Sequence, residues 1–129
     1  MNFLIKAYTI QEVSKLTDQN LLAKVAIEDK DWHVRQEAVK KLTDQNLLGR
    51  IALEDEYWYV RQEAVSKLTD QNLLAKIAIE DKDSYVRKEA VKKLTDYETL
   101  KNLAYKYKSE RNTDLVSAVL KRMDELGLI

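Results

Sequence analysis

Residues 13–38 read VSKLTDQNLLAKVAIEDKDWHVRQEA and residues 65–90 read VSKLTDQNLLAKIAIEDKDSYVRKEA, so the chain matches itself over a long stretch. The two stretches differ at four places, Val25/Ile77, Trp32/Ser84, His33/Tyr85 and Gln36/Lys88. Residues 39–64, VKKLTDQNLLGRIALEDEYWYVRQEA, fill the gap between them in the same register, so one period is the length of a single such stretch. A fourth, decaying copy opens at residue 91 with VKKLTDYETLKNLAYKYKSE. A fixed period of this length marks a repeat architecture, in which each unit is one supersecondary element too small to bury its apolar side alone. Copies this similar point to recent duplication or to consensus design.

Each copy encodes two short helices. Val34, Ala38 and Leu42 recur at i, i+4, i+8 with Val39 beside them, a helical period that strand alternation cannot match. Asp31 stands ahead of that face as an N-cap. A second helix begins after Thr43-Asp44, where a side-chain oxygen can accept the orphan amides and the acid complements the dipole. Its inward face is read as Leu47, Leu48, Ile51 and Ala52. In the fourth copy Thr95-Asp96-Tyr97-Glu98 has the spacing of a capping box. Glu37/Lys41, Glu63/Lys67 and Glu89/Lys93 are i,i+4 pairs, each worth about 0.2–0.5 kcal/mol on an exposed surface.

Helices this short are marginal alone and must shelter their apolar faces against neighbouring copies. The expected fold is therefore all-α, a right-handed αα-superhelix (α-solenoid) forming one domain over residues 1–129. Residues 1–12 read as an N-terminal cap, residues 13–38, 39–64, 65–90 and 91–112 as repeats, and residues 113–129 as a C-terminal capping helix. In the last, Leu115, Val116, Val119, Leu120 and Met123 are expected to face inward and Gly127 to close the helix.

Composition excludes several classes. Lys+Arg and Asp+Glu balance at 22 each, so no global basic field gathers phosphates, and nucleic acid is a disfavoured partner. There is no cysteine, hence no disulfide, thiolate nucleophile or Cys-ligated metal. One histidine, His33, cannot build a histidine metal site. No apolar run reaches the roughly 18 residues of a membrane helix, and no leader-like segment opens the chain. A soluble, cytoplasmic, monomeric protein with no cofactor, no metal and no membrane partner is expected. With two glycines and no proline, a turn-dense sheet fold and phosphate-cradling glycine loops are both disfavoured.

The pattern Asp-x-x-x-x-Val-Arg-x-x-Ala-Val-x-x-Leu, as it runs from Asp29 to Leu42, resembles the short HEAT-like repeats first noted in phycobilisome lyases. The resemblance covers about residues 13–108 and implies an armadillo-type interaction scaffold. The leucine-rich repeat variant family is similar too, sharing the Val-Arg dipeptide and a Leu-Leu pair ahead of an Ala-x-x-Asp ending. The HEAT-like family is preferred, because LTDQNLL followed by Ile-Ala leaves room for a second true α-helix. The unit, as in residues 13–38, is much shorter than the roughly 40 residues usual for HEAT or armadillo repeats. Lyase chemistry does not follow from a repeat alone.

Several periodic positions are candidates for function. Arg35, Arg61 and Arg87 could form an anion ladder, but the expected use is bonding to inter-helix turns, with Asp29, Asp55 and Asp81 as partners. Trp32, His33, Trp58, Tyr59 and Tyr85, joined by Tyr57, lie on one edge. Such aromatic side chains either anchor a partner or shield the adjacent turn. These five are the candidate partner-binding residues. Ile27, Leu53, Ile79 and Tyr105 form an apolar stripe expected to pack between units, helped by the small Ala23, Gly49 and Ala75. Gln19, Gln45 and Gln71, with Asn20, Asn46 and Asn72 and Lys24, Arg50 and Lys76, form a polar ladder whose expected role is solvation. The run Glu28-Asp29-Lys30-Asp31 lacks the glycine and distal glutamate of a calcium loop. No catalytic set is found. The leading expectation is a non-enzymatic scaffold that binds a protein or peptide; the alternatives are a nucleic-acid-binding repeat and a designed or structural repeat without a ligand.

Overall fold

The computed structural model describes residues 6–129, so the first five residues of the expected N-terminal cap lie outside the described residues. Within that span there are nine α-helices and no strand. The chain divides into two compact units, residues 1–68 and 69–129.

In the first unit the helices are α1 (Ile10–Ser14), α2 (Gln19–Glu28), α3 (Trp32–Lys41), α4 (Gln45–Glu54) and α5 (Trp58–Ser66). Asp18 and Asp44 start α2 and α4, each carboxylate accepting two backbone amides at 2.8–3.2 Å, which is the N-cap role expected of Asp44. Asp29 and Asp55 stop the same helices. Each turns to extended backbone, ψ 139° and 137°, and each accepts the amide two residues on at 2.9 Å. This local bond competes with a further helical turn. α1 opens with a capping box in which Thr9 and Glu12 exchange bonds.

α2 packs on α3, α4 on α5, and α3 lies between α1 and α5. Leu22, Val25 and Ala26 of α2, Val34, Ala38 and Val39 of α3, and Val60, Ala64 and Val65 of α5 are buried. At about 1.5–3 kcal/mol for each fully buried Val or Leu, these faces dominate what holds the short helices together. In α4, Leu48, Gly49, Ile51 and Ala52 are buried, whereas Leu47, expected inside, is only half-buried.

Polar braces tie one copy to the next. Gln19 donates to the Lys41 carbonyl at 2.9 Å and accepts the Thr43 amide at 3.2 Å. Gln45 likewise donates to the Lys67 carbonyl at 2.9 Å. These glutamines fasten the exit of a later helix, which corrects the expectation of plain solvation. The expected Glu/Lys pairs are also replaced. Lys40 takes Glu37 at 3.8 Å, and Lys41 instead donates to the Ser14 carbonyl. Lys67 reaches the Val39 carbonyl at 3.1 Å, which also accepts the Leu42 amide, and the Lys40 carbonyl beside it, so its ammonium serves the C-terminal acceptors of α3.

The second unit contains α6 (Gln71–Glu80), α7 (Ser84–Val91), α8 (Tyr97–Ser109) and α9 (Thr113–Glu125). α6 packs on α7 and α8, and α9 on α7 and α8. Gln71 repeats the brace, to the Lys93 carbonyl at 3.0 Å and the Thr95 amide at 3.1 Å. The expected Thr95/Glu98 capping box does not form. Asp96 is the N-cap and accepts from Thr99, the carboxylate displacing the weaker hydroxyl one residue earlier.

At the end of α8 the pattern changes. Tyr107 stands one period after Asp81, where the earlier copies place the helix-stopping aspartate. Without that carboxylate α8 runs on to Ser109 and closes when the Asn112 amide reaches the Tyr107 carbonyl at 2.9 Å and the Arg111 amide the Lys108 carbonyl at 3.0 Å. Arg111 adopts φ 60° there, a left-handed position that glycine fills without strain. The overrun shifts the next helix: its N-cap Asn112 falls three positions beyond the counterpart of Asp83. The inward face of α9 is therefore Leu115, Val119 and Met123. Val116 is half-buried and Leu120 is 45% exposed, which corrects the expectation that both face inward. Gly127, φ 70°, ends α9 as expected.

The Tyr107 hydroxyl, buried, donates to the Ala78 carbonyl. Burial pushes its pKa up to about 12, while the neighbouring Arg87 pulls it down. Because the folded value lies above that of the free phenol, its contribution is present below pH ~10 and is lost as pH rises from 10 to 12. Chemical denaturation of Tyr107→Phe should show a loss of about 1–3 kcal/mol at neutral pH. It should also show a flatter decline than the parent between pH 10 and 12, where Tyr107 contributes about 1.4 kcal/mol per unit. Val60→Asp, placing an unpartnered carboxylate among buried side chains, should lose several kcal/mol; an unchanged thermal midpoint would contradict the assigned helix face.

Candidate functional site

Asp55 gathers the arginine ladder of the first unit. Both its carboxylate oxygens accept from Arg35, at 3.0 Å from Nε and 3.2 Å from Nη2. Arg35 also reaches back to the Asp29 carbonyl at 2.9 Å, and Arg61 donates to the Asp55 carbonyl at 2.8 Å. Arg35 and Arg61 are buried. Their donors are directed at turns, as expected, which leaves them unsuited to bind an external anion. Arg87 differs, since Tyr107 stands where the next aspartate would be. It approaches Glu110 at 3.6 Å and the Ser84 hydroxyl at 3.1 Å, lies 5.9 Å from the Tyr107 ring centre, and keeps a buried Nε without a partner.

Four of the five candidate binding residues come together in the first unit, at the starts of α3 and α5. Trp32 stacks on His33 with ring centres 3.6 Å apart, and on Tyr59 at 5.2 Å. Trp58 stacks on Tyr59 at 3.9 Å. Tyr57 joins the column 4.5 Å from Trp32. Trp32, Tyr57 and Trp58 are half-buried, while His33 and Tyr59 are exposed. Tyr85, the fifth, lies in the first turn of α7 in the second unit and is 60% exposed.

Tyr57 occupies the N-cap of α5 and makes no side-chain capping bond. The equivalent positions are Asp31, which accepts the His33 amide at 2.9 Å, and Asp83, which accepts the Tyr85 and Val86 amides. A capping aspartate has thus given way to an aromatic ring. The signal was present in the sequence, where Tyr57 interrupts the Asp31/Asp83 register, but only the geometry shows that the ring joins the stack. His33 pairs through Nδ1 with Asp31 at 2.9 Å. That bond and the His33 amide hold the Asp31 carboxyl below its usual range, so its support of α3 is present above the ordinary aspartate pKa and fades as pH falls through the lowered value.

The apolar stripe is not covered as expected. Ile27 and Leu53 in the first unit are 49% and 46% exposed, and Ile79 and Tyr105 in the second 48% and 65%. Helix rotation explains this, since the buried neighbours Ala26, Ala52 and Ala78 take the inward position and the next residue is turned away by about 100°. Among the described residues no cluster of His, Cys, Asp or Glu is arranged to hold a metal ion, and no helix is long and apolar enough to cross a membrane.

No family model matches the chain, and comparison with curated proteins and with solved structures finds no match to it. What defines the class is thus the structure's own: an all-helical protein built on an internal repeat, carrying a stacked aromatic cluster on its first unit.

Restoring the missing cap separates the two uses of Tyr57. Tyr57→Asp should raise stability toward unfolding by about 0.5–2 kcal/mol through the α5 N-cap, read as an upward shift of the thermal midpoint. A marked drop instead would show that stacking outweighs capping and that the ring is structural.

Proposed function

We propose that the protein is a non-enzymatic interaction scaffold, an α-solenoid of short HEAT-like repeats that binds a protein or peptide through the aromatic column of Trp32, His33, Tyr57, Trp58 and Tyr59. The observation that carries this reading is Tyr57: a position that caps its helix in two other copies holds a ring stacked into a half-exposed column. Departures from local folding rules concentrate where function sets the residue. Aromatic anchors held by stacking lose little conformational freedom on association, which favours affinity.

The ring faces of the column favour a partner carrying lysine or arginine. Glu56, next to Tyr57 in the chain, has a side chain 89% exposed and lies 4.0 Å from Arg35, and Glu54, also exposed, lies 4.0 Å from Arg50. A cation can meet the exposed faces of the stacked rings. Tyr85 offers the same aromatic position in the second unit.

Peptides displayed on phage and selected against the full chain, then titrated by calorimetry, test the reading. Enriched sequences should contain Lys or Arg, and Trp58→Ala and Trp32→Ala should each weaken them by about tenfold or more with helicity unchanged. Selection of nothing above background, or affinities indifferent to both substitutions, would overturn it.

A further inference from the structure

We infer that the groove between α8 and α9, in the second unit, is a separate docking site for an acidic amphipathic helix of a partner protein. The groove encloses about 510 Å³ and is floored by Ala104, Tyr105, Val116 and Leu120. Lys108 and Arg111 also line it, and no carboxylate does. Among the described residues neither cation forms an ion pair, whereas on α8 Lys101 pairs with Glu98 and Lys106 with Glu110 at the helix end.

The repeat shows what such a face is shaped to receive. Ala104 stands one period after Ala78, and once the late start of α9 is allowed for, Leu120 is the counterpart of Val91. Ala78 and Val91 are fully buried: α8 lies over α6, its Tyr107 hydroxyl meeting the Ala78 carbonyl, and α9 lies over α7. Ala104 and Leu120 keep that apolar chemistry, yet Leu120 is 45% and Tyr105 65% exposed. The face that α6 and α7 present to α8 and α9 is thus repeated on α8 and α9 with nothing laid on it in the structure.

Charge selects the occupant. α9 fills the preceding face through Leu115, Val119 and Met123, an i, i+4, i+8 stripe, so the shape called for is a helix with the same spacing. Two unpaired cations beside an apolar floor favour carboxylates flanking that stripe and oppose a basic helix. They also oppose a symmetric contact between two copies of this groove, which would set Lys108 and Arg111 against their own equivalents. Arg111 adds a second argument. It holds φ 60° at a helix terminus, where glycine would remove about 1 kcal/mol of strain, so a cation stands there in spite of the backbone.

Two fluorescein-labelled peptides of about 16 residues, long enough for a helix, provide the probe. Both carry Leu at i, i+4 and i+8, and they differ only in flanking Glu or Lys. In anisotropy titrations with the full chain, the Glu peptide should bind at least about tenfold tighter than the Lys peptide. Leu120→Gln and Lys108→Glu should each weaken the Glu peptide by about tenfold, with circular dichroism confirming that both variants fold. Arg111→Gly should weaken it while raising the thermal midpoint. Equal affinity for the two peptides, or affinity unaffected by Leu120→Gln, would overturn the inference. So would Leu120-dependent self-association in sedimentation velocity, which would make a second copy the occupant. The Trp58→Ala variant should bind the Glu peptide as the parent does, which keeps this site distinct from the aromatic column.

Discussion

The bond between Arg35 and Asp55 is the constraint on which the first unit turns. A buried guanidinium and carboxylate are expensive to desolvate, and removing one partner would strand the other. Here the desolvation is offset because nearly every polar atom is used. Asp55 ends α4, turns the chain by accepting the Tyr57 amide, receives two nitrogens of Arg35, and offers its carbonyl to Arg61. One residue thus sets where a helix stops, which way the chain leaves, and how one copy sits on the next. The valines and alanines beside it supply most of the driving force, but they are interchangeable greasy contacts. The geometry that registers one copy against another is polar.

This explains how far the sequence could be read. Periodicity placed the helices because apolar spacing and aspartate caps are local properties: Asp31 and Asp44 begin helices where the residues alone put them. The arginine-to-turn bonds were legible for the same reason, since Arg35 and Asp55 recur at fixed spacing. What escaped depended on rotation about a helix axis. Ile27 and Leu53 sit one residue beyond a buried alanine, and a shift of one position carries a side chain from core to surface. The local pattern of Gln19 and Gln45 points only to solvation, since nothing local shows that an amide at the start of one helix reaches a carbonyl 22 residues later. The aromatic cluster was legible as residues and not as a stack.

Departures from the repeat are more informative than the repeat. Where Asp81 has a tyrosine as its next equivalent, the consequences propagate through α8: the helix overruns, Arg111 is forced into a left-handed turn, α9 begins three positions late, and Arg87 is left with a buried nitrogen unpaired. The exchange of carboxylate for phenol bears on several features of this copy at once, because the aspartate of the earlier copies had several duties. Tyr57 is the milder case. It gives up one capping bond while the neighbouring Asp55 turn stays intact, so the fold tolerates the ring and the surface gains it.

The overall neutrality of the chain then has a specific meaning. Equal numbers of acidic and basic residues need not be evenly mixed, and here the local balance differs from place to place. Glu54 and Glu56, close to the aromatic column in sequence, lie 4.0 Å from Arg50 and Arg35, while the α8–α9 groove is lined by two cations and no anion. Such segregation does little for folding, since exposed charges contribute little to stability. Its effect is on which partners approach and in what orientation, because like charges repel wrong ligands even where apolar contact alone would accept them. A repeat that reuses one packing solution is thereby left free to differ where it meets other molecules, and the residues that break the period are the ones that set that difference.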